Sequence, residues 1–365
     1  MKLKVSQAAL LAALSDCATV ADAKSPFPWG AHVIIEADES TRTVTCRASN
    51  SLQAVRRTIP VNALDIYKPG AIMINAKDAA LRVSNLDAGE VLIEELPGSV
   101  SIKQGSARYS LPKHDVSEAP AVGSVEPQGG EIDARAFGAL LARVAPAMGD
   151  TETNLTTYGI NCITSGGKLW AKAINGHTAA IAPISFDGEL VAMIPAPAVK
   201  QLQSVLAGVD GVARLAVVGT SLYIFADGLA YSTLLTGVVV PSFDAAIPKR
   251  KGASAMVDRL AAISAVRGAI VGISRDMKIR LRSRPNGITF RGYGDDQKAG
   301  ARAIDCDSTL ASSAMCADYL LDLLRFATSD TVTIWQSPGS LKLDSAPGPM
   351  VVEEDGAIFV AMPIR

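Results

Sequence analysis

Apolar residues in this chain recur in two rhythms. Over Ser6–Val20, Leu10, Leu14 and Cys17 fall on one helical face. The same spacing returns over Asp133–Met148, with Phe137, Leu141, Val144 and Met148, and over Ala253–Val266, with Met256, Leu260 and Ile263. A second set of helices is expected near Asn62–Tyr67, Ala196–Leu206 and Met315–Thr328, the last carrying Leu320, Leu324 and Ala327. Leu3-Lys4-Val5 reads as a strand, with Ser6 as the N-cap of the helix behind it.

Between the helices the rhythm changes to alternation around tight-turn residues. Ile160 to Ala173 alternates about Gly166-Gly167. Leu215–Val218 turns through Gly219-Thr220 into Leu222-Tyr223-Ile224, and Asp227-Gly228 precedes Leu229–Leu235. Ile279–Arg284 turns through Asn286-Gly287 into Ile288-Thr289-Phe290. Such pairs supply the positive φ angles of hairpin turns, so antiparallel sheets are expected.

Two stretches break the pattern. Ser117–Gly130 is rich in Pro, Gly, Ser and Glu, and Pro248-Lys249-Arg250-Lys251-Gly252 is short and basic. Cutting there leaves three segments of similar length, each running helix, strands, helix, strands. That is the signature of an internal repeat whose side chains have drifted. The basic run reads as a solvated linker rather than a nucleic-acid patch.

Composition narrows the class. The 365 residues suffice for two or three domains, and 48% are hydrophobic but only 5% aromatic, so the core must be aliphatic. A formal net charge of -1 points neither toward nor away from nucleic acid. Cys17, Cys46, Cys162, Cys306 and Cys316 are odd in number and scattered, which argues against a zinc ribbon or a disulfide framework and fits a reducing cytoplasm. They read as small buried residues. The start of the chain imitates a signal peptide and a lipoprotein site at Leu14-Ser15-Asp16-Cys17. The apolar run is too short and Asp16 is wrong for cleavage, so a helix is the better reading. No run is long enough to span a membrane.

Catalytic patterns are missing. The three histidines, His32, His114 and His177, form no metal-ligand pair at helical spacing. There is no P-loop and no nucleophile elbow, and Gly292-Tyr293-Gly294 is a lone loop. Glu94-Glu95 and Glu353-Glu354-Asp355 are adjacent carboxylates on opposite strand faces, unsuited to grip one substrate. No cofactor is expected.

Two features then stand out together: Ala171-Lys172-Ala173-Ile174-Asn175-Gly176-His177-Thr178-Ala179-Ala180, and the terminal Phe359-Val360-Ala361-Met362-Pro363-Ile364-Arg365. With Tyr158-Gly159-Ile160-Asn161, Ile194-Pro195, Pro241-Ser242-Phe243 and Ile247-Pro248-Lys249, their order resembles the bacterial sliding clamps, the β subunits of DNA polymerase III. The resemblance covers the whole chain in element order and is densest from Tyr158 to Arg250. It implies an α+β fold of three tandem clamp (processivity-fold) domains, at 1–116, 127–247 and 252–365, with helices lining a hole and antiparallel sheets outside. It implies a non-catalytic cytoplasmic protein, nucleoid-associated during replication. Two copies would pair head to tail around double-stranded DNA, without sequence preference and without membrane contact.

The same resemblance assigns residues. DNA would meet Lys24 in a loop and Lys68, Arg135, Arg143, Arg259 and Arg325 on helices, with Lys200 and Tyr158 beside them. A cleft for short peptides of the polymerase subunit, the clamp loader and other partners would use Ile160, Ile174, Gly176, His177, Thr178, Ala179, Pro241, Val360, Ala361, Met362, Pro363, Ile364 and Arg365. The ring seam would use Tyr109, Leu111, Ile263 and Ser264. Departures from the family pattern mark a divergent or accessory clamp. Thr178, Ala179 and Ala245 stand where longer side chains are common, which implies a wider cleft, and the small Ser264 implies a weaker seam. A monomeric clamp-fold adaptor without ring closure is the main alternative. An enzyme with an unreadable site is the second.

Overall fold

The computed structural model describes residues 1–119, 128–149, 151–237, 243–249, 251–273, 277–294, 299–338 and 347–364. One order of elements occurs three times. The first pass is strand Lys2–Ser6, helix α1 (Gln7–Val20), strands His32–Asp38, Thr43–Ser49 and Gln53–Pro60, strand Gly70–Asn75, helix α2 (Ala76–Ser84), and strands Glu90–Leu96, Ser99–Gln104 and Ala107–Pro112. The second runs from Gly130–Asp133 and α3 (Ala134–Val144) through Gly159–Ser165, Lys168–Ile174, Thr178–Ser185 and Val191–Pro195. It continues into α4 (Ala196–Ala207) and strands Val212–Val218, Ser221–Ala226 and Leu229–Leu234. The third runs from Ser254–Asp258 and α5 (Arg259–Ala269) through Lys278–Arg284, Gly287–Tyr293, Ala299–Asp305 and Ser313–Cys316. It closes with α6 (Ala317–Phe326) and strands Thr331–Gln336, Met350–Glu354 and Ala357–Ala361. A short extra strand, Ile66–Lys68, belongs to the first pass alone.

By backbone packing the chain divides into two compact units, Met1–Ala139 with Ser185–Gly237 and Leu140–Ile184 with Val238–Arg365. In the first, a five-stranded sheet ends on the edge strand Ala107–Pro112. An eight-stranded sheet there joins Gly130–Asp133 and the hairpins of 212–234 to the strands of 32–60 through the pairing of Leu229–Thr233 with Gln53–Arg57. Helix α1 buries Leu10, Leu14 and Cys17 completely, as its period predicts. Gln201 of α4 donates to the Thr19 carbonyl at 2.9 Å, so the end of α1 is tied to α4. In the second unit, Thr178–Ile181 pairs with Ile358–Ala361, which lays the chain's last strand beside the middle of the sequence. A four-stranded sheet of 278–316 ends on the edge strand Ala299–Asp305.

Several sequence expectations need correction. The segment Asn62–Tyr67 holds no α-helix: a single 3-10 turn, Ala63–Asp65, leads into the strand Ile66–Lys68, and Leu64 is 87% exposed. Pairing of Leu3 with Ile66 and of Lys2 with Lys68 draws the end of this segment into a sheet instead. The helix is α2, started by Asn75, whose Oδ1 accepts from Asp78 N–H at 3.0 Å. The third first-type helix begins later than expected. Asp258 caps it by accepting from Ala261 N–H at 2.6 Å, which leaves Met256 on a strand and exposed. Leu260 is exposed too, and the buried face is Ala262, Ile263, Ala265, Val266 and Ala269. Ser6 precedes α1 without a side-chain capping bond. Cys17, Cys46 and Cys162 are buried as expected, but Cys306 and Cys316 are half-buried. Among the described residues no helix is long and apolar enough to cross a membrane.

Candidate functional site

The candidate site is built from the turn between Lys168–Ile174 and Thr178–Ser185. Gly176 takes φ +88, which a side chain resists. Asn175 closes the turn: its Oδ1 accepts from His177 N–H at 2.9 Å and Thr178 N–H at 2.8 Å. Its own N–H donates to the Thr178 carbonyl at 3.1 Å. Beyond the strand pair, Met362 N–H donates to the His177 carbonyl at 2.8 Å. The terminal segment is thus held against the turn one step past Ala361. Ile364 N–H then donates to the Ala314 carbonyl at 2.7 Å.

A cavity of about 360 Å³ opens between these walls. Of the residues assigned to the cleft from sequence, Ile174, Gly176, His177, Thr178, Ala179, Val360 and Met362 line it. Its floor is apolar, since Ala179, Val360, Val351 and Trp335 form one buried cluster with Ile174 and Ala246 packed against it. Met362 lines the cavity and stays exposed, and Ile364 beyond it is exposed too. His177 stacks on Tyr319 with ring centroids 5.7 Å apart. A largely apolar slot with His177 and Thr178 in its wall suits hydrophobic anchors of an extended ligand.

Other assigned residues fall elsewhere. Ile160 and Ala361 are fully buried and do not line the cavity, because alternation along each strand turns them to the core. Pro363 is half-buried beside Met362. Pro241 and Arg365 lie outside the described residues. Sequence reasoning missed Ala246, Pro248 and Pro349 as lining residues and Tyr319 as the stacking partner. Their only signal is pairing of distant segments, which no local motif announces.

The assigned cations differ sharply in environment. Lys24 is exposed in a loop and Lys200 is exposed on α4. Arg135 on α3 pairs with Asp210 at 2.5 Å, with both groups largely solvated. Arg259 opens α5 and donates Nε to the Ser329 carbonyl at 2.8 Å, while Arg325 pairs loosely with Asp322 at 3.4 Å. Lys68 is not on a helix; it is exposed on Ile66–Lys68, opposite Lys2. Tyr158 is half-buried and its hydroxyl donates to Glu152 at 3.2 Å; burial and that carboxylate raise its pKa.

Arg143 is committed inside its unit. Its Nε donates to the Phe326 carbonyl at 2.9 Å, its Nη2 reaches Glu354 at 2.8 Å, and the guanidinium lies 4.4 Å from the Phe326 ring centroid. Burial pushes the Glu354 carboxyl up, but hydrogen bonds from Ser329 and Thr328 outweigh it and bring the pKa to about 2.

The seam residues also divide. Leu111 and Ile263 are buried in the chain's own core, so neither offers apolar area to a partner. Tyr109 is half-buried under Arg82, 5.7 Å from its ring centroid, and Ser264 is exposed.

No protein-family model matches the sequence. Over 379 aligned residues the chain is 21% identical to the β sliding clamp of Streptomyces coelicolor, covering 100% of this chain and 99% of that one. The DNA polymerase sliding clamp of Bacillus subtilis superposes with a TM-score of 0.85 at 18% identity, over 100% of this chain and 99% of the other. A sliding clamp of Pseudomonas aeruginosa bound to griselimycin gives 0.86 at 18% identity, over the same shares. The fold is therefore the sliding-clamp fold. The chain resembles the bacterial DNA polymerase III β subunits along its entire length, at the low identity of a divergent relative.

Proposed function

We propose that this protein is a DNA sliding clamp, a non-catalytic processivity factor that tethers partner proteins to duplex DNA. The observation that carries the reading is the cleft where Met362 N–H meets the His177 carbonyl and apolar walls enclose about 360 Å³. Short peptides of a polymerase subunit, a clamp loader and other partners dock there by hydrophobic anchors. A griselimycin-bound clamp among the solved relatives supports a fold that holds ligands. Thr178, Ala179 and Ala245 leave room for bulky anchors.

In this reading the three passes of elements are three domains, at 1–116, 127–247 and 252–365. Two copies pair head to tail through the edge strands Ala107–Pro112 and Ala299–Asp305, which end their sheets and present unpaired backbone groups. Lys24, Arg135, Lys200 and Arg259 attract phosphate without reading sequence. Arg143 is removed from that set, because its guanidinium is occupied by Glu354 and Phe326. The protein acts in the cytoplasm on the nucleoid.

A second reading, a monomeric clamp-fold adaptor, is favoured by one observation: Leu111 and Ile263 are buried and Ser264 is small, so the seam has little apolar area. The test is primer extension on a long single-stranded circle with a cognate polymerase and loader. A clamp lengthens the products per binding event. Products of unchanged length, in the presence of peptide binding, favour the adaptor.

A further inference from the structure

The four-stranded sheet of 278–316 carries a concentration of positive charge that neither the cleft nor the ring explains. Along Lys278–Arg284 the buried positions Ile279 and Leu281 face the core, so Lys278, Arg280, Arg282 and Arg284 share the outer face. Pairing sets Arg291 opposite Arg280, and Tyr293 opposite Lys278. Arg280, Arg282, Arg284 and Arg291 are exposed, and the Arg280 guanidinium lies 5.7 Å from the Tyr293 ring centroid. The next strand contributes only Ala301 and Ala303 beside Arg291 and Thr289, which leaves that side flat. Among the described residues the one acid in register on this face is Asp305, which pairs with Arg284 at 2.6 Å. Asp295 and Asp296 lie outside the described residues.

Like charges directly opposite on a sheet are unfavourable without a counter-charge. Here Arg280 and Arg291 are such a pair in a chain whose net charge is only -1. Alternate residues of a strand stand roughly 6.6 Å apart, so the four cations of one strand form a straight row. A row of evenly spaced cations beside an aromatic ring matches an extended polyanion whose repeating unit has a flat, stackable face. Nucleic acid in single-stranded form has that chemistry, with phosphates for the row and a base for Tyr293.

We propose that this outer sheet face is a second nucleic-acid site, which binds single strands. It lies within one unit and does not depend on ring closure or on the cleft.

The test uses the full chain, a fluorescent oligo-dT and anisotropy over a salt series. The double variant R280Q/R291Q is expected to weaken binding at least tenfold and to reduce the salt slope by about 1.4, two phosphate contacts at about 0.7 each. Tyr293→Ala is expected to weaken it several-fold with little change in slope. Lys168→Gln, at an exposed position outside both the cleft and the duplex-facing set, leaves oligo-dT binding unchanged, which separates this site from a general loss of positive charge. Equal melting temperatures establish folding, and Arg280→Glu gives a second variant with a larger expected loss. Unchanged affinity and slope in R280Q/R291Q would overturn the proposal. So would duplex DNA binding as tightly through the same arginines. Displacement of oligo-dT by polyglutamate at equal charge, with Tyr293→Ala silent, would overturn it in favour of an acidic peptide.

Discussion

The backbone N–H of Met362 donates to the carbonyl of His177 at 2.8 Å, across 185 positions of sequence. That bond extends the pairing of Thr178 with Ala361 and fixes the distance between the two walls of the cleft. The rim side chains are then free to meet a ligand while the backbone stays anchored.

Met362 should therefore matter to binding and little to folding. It is 41% exposed, so Met362→Ala removes mainly surface that a peptide would cover. We expect at least a tenfold loss of affinity for a peptide with hydrophobic anchors, measured by calorimetry. The melting temperature should move little.

Ala179 sets the depth of the slot. Ala179→Leu places a larger side chain on the cavity floor beside Val360 and Trp335. Peptides with an aromatic anchor should lose affinity more than peptides with a small aliphatic anchor. Equal losses across an anchor series would show that floor depth does not select the ligand.

The folded form favours ionised Glu354. Its folded pKa of about 2 lies below the ordinary 4.5, so its contribution is fully present above about pH 4.5 and is lost as pH falls toward 2. Glu94 and Glu95, each held near about 2 chiefly by lysine hydrogen bonds, add to the same slope. The difference between wild type and Glu354→Gln isolates one group. The variant should be less stable near neutral pH by about 1–3 kcal/mol, and the gap should close toward pH 2 in chemical denaturation.

Arg143 and Lys200 should part company. Arg143→Gln breaks the bonds to Phe326 and Glu354 and should lower the melting temperature, with duplex DNA affinity unchanged. Lys200→Gln should leave melting unchanged and weaken duplex binding, with a smaller salt slope. The reverse pattern in a salt titration would return Arg143 to the DNA-facing set.

Much of this was legible in the sequence, for identifiable reasons. Phe137, Leu141 and Val144 are buried where a helical period puts them, and the Gly166-Gly167 and Gly219-Thr220 turns join the expected strands. Those signals are local. Helix α2 was hidden because Asn62–Tyr67 imitates a capped start, while the true cap, Asn75, precedes a weakly apolar run. The exposure of Met256 and Leu260 was hidden because three apolar residues at helical spacing do not reveal a capping aspartate between them. Arg143 looked solvated because its partner Glu354 lies 211 positions away. In the cleft, the walls carried motifs, whereas Ala246, Pro248, Pro349 and Tyr319 arrive only through tertiary pairing.

Ring closure is the claim on which the clamp reading turns, and light scattering across a concentration series tests it most directly. The account predicts twice the 38.0 kDa of one chain, persisting into the low micromolar range. A mass of one chain at every concentration would contradict it.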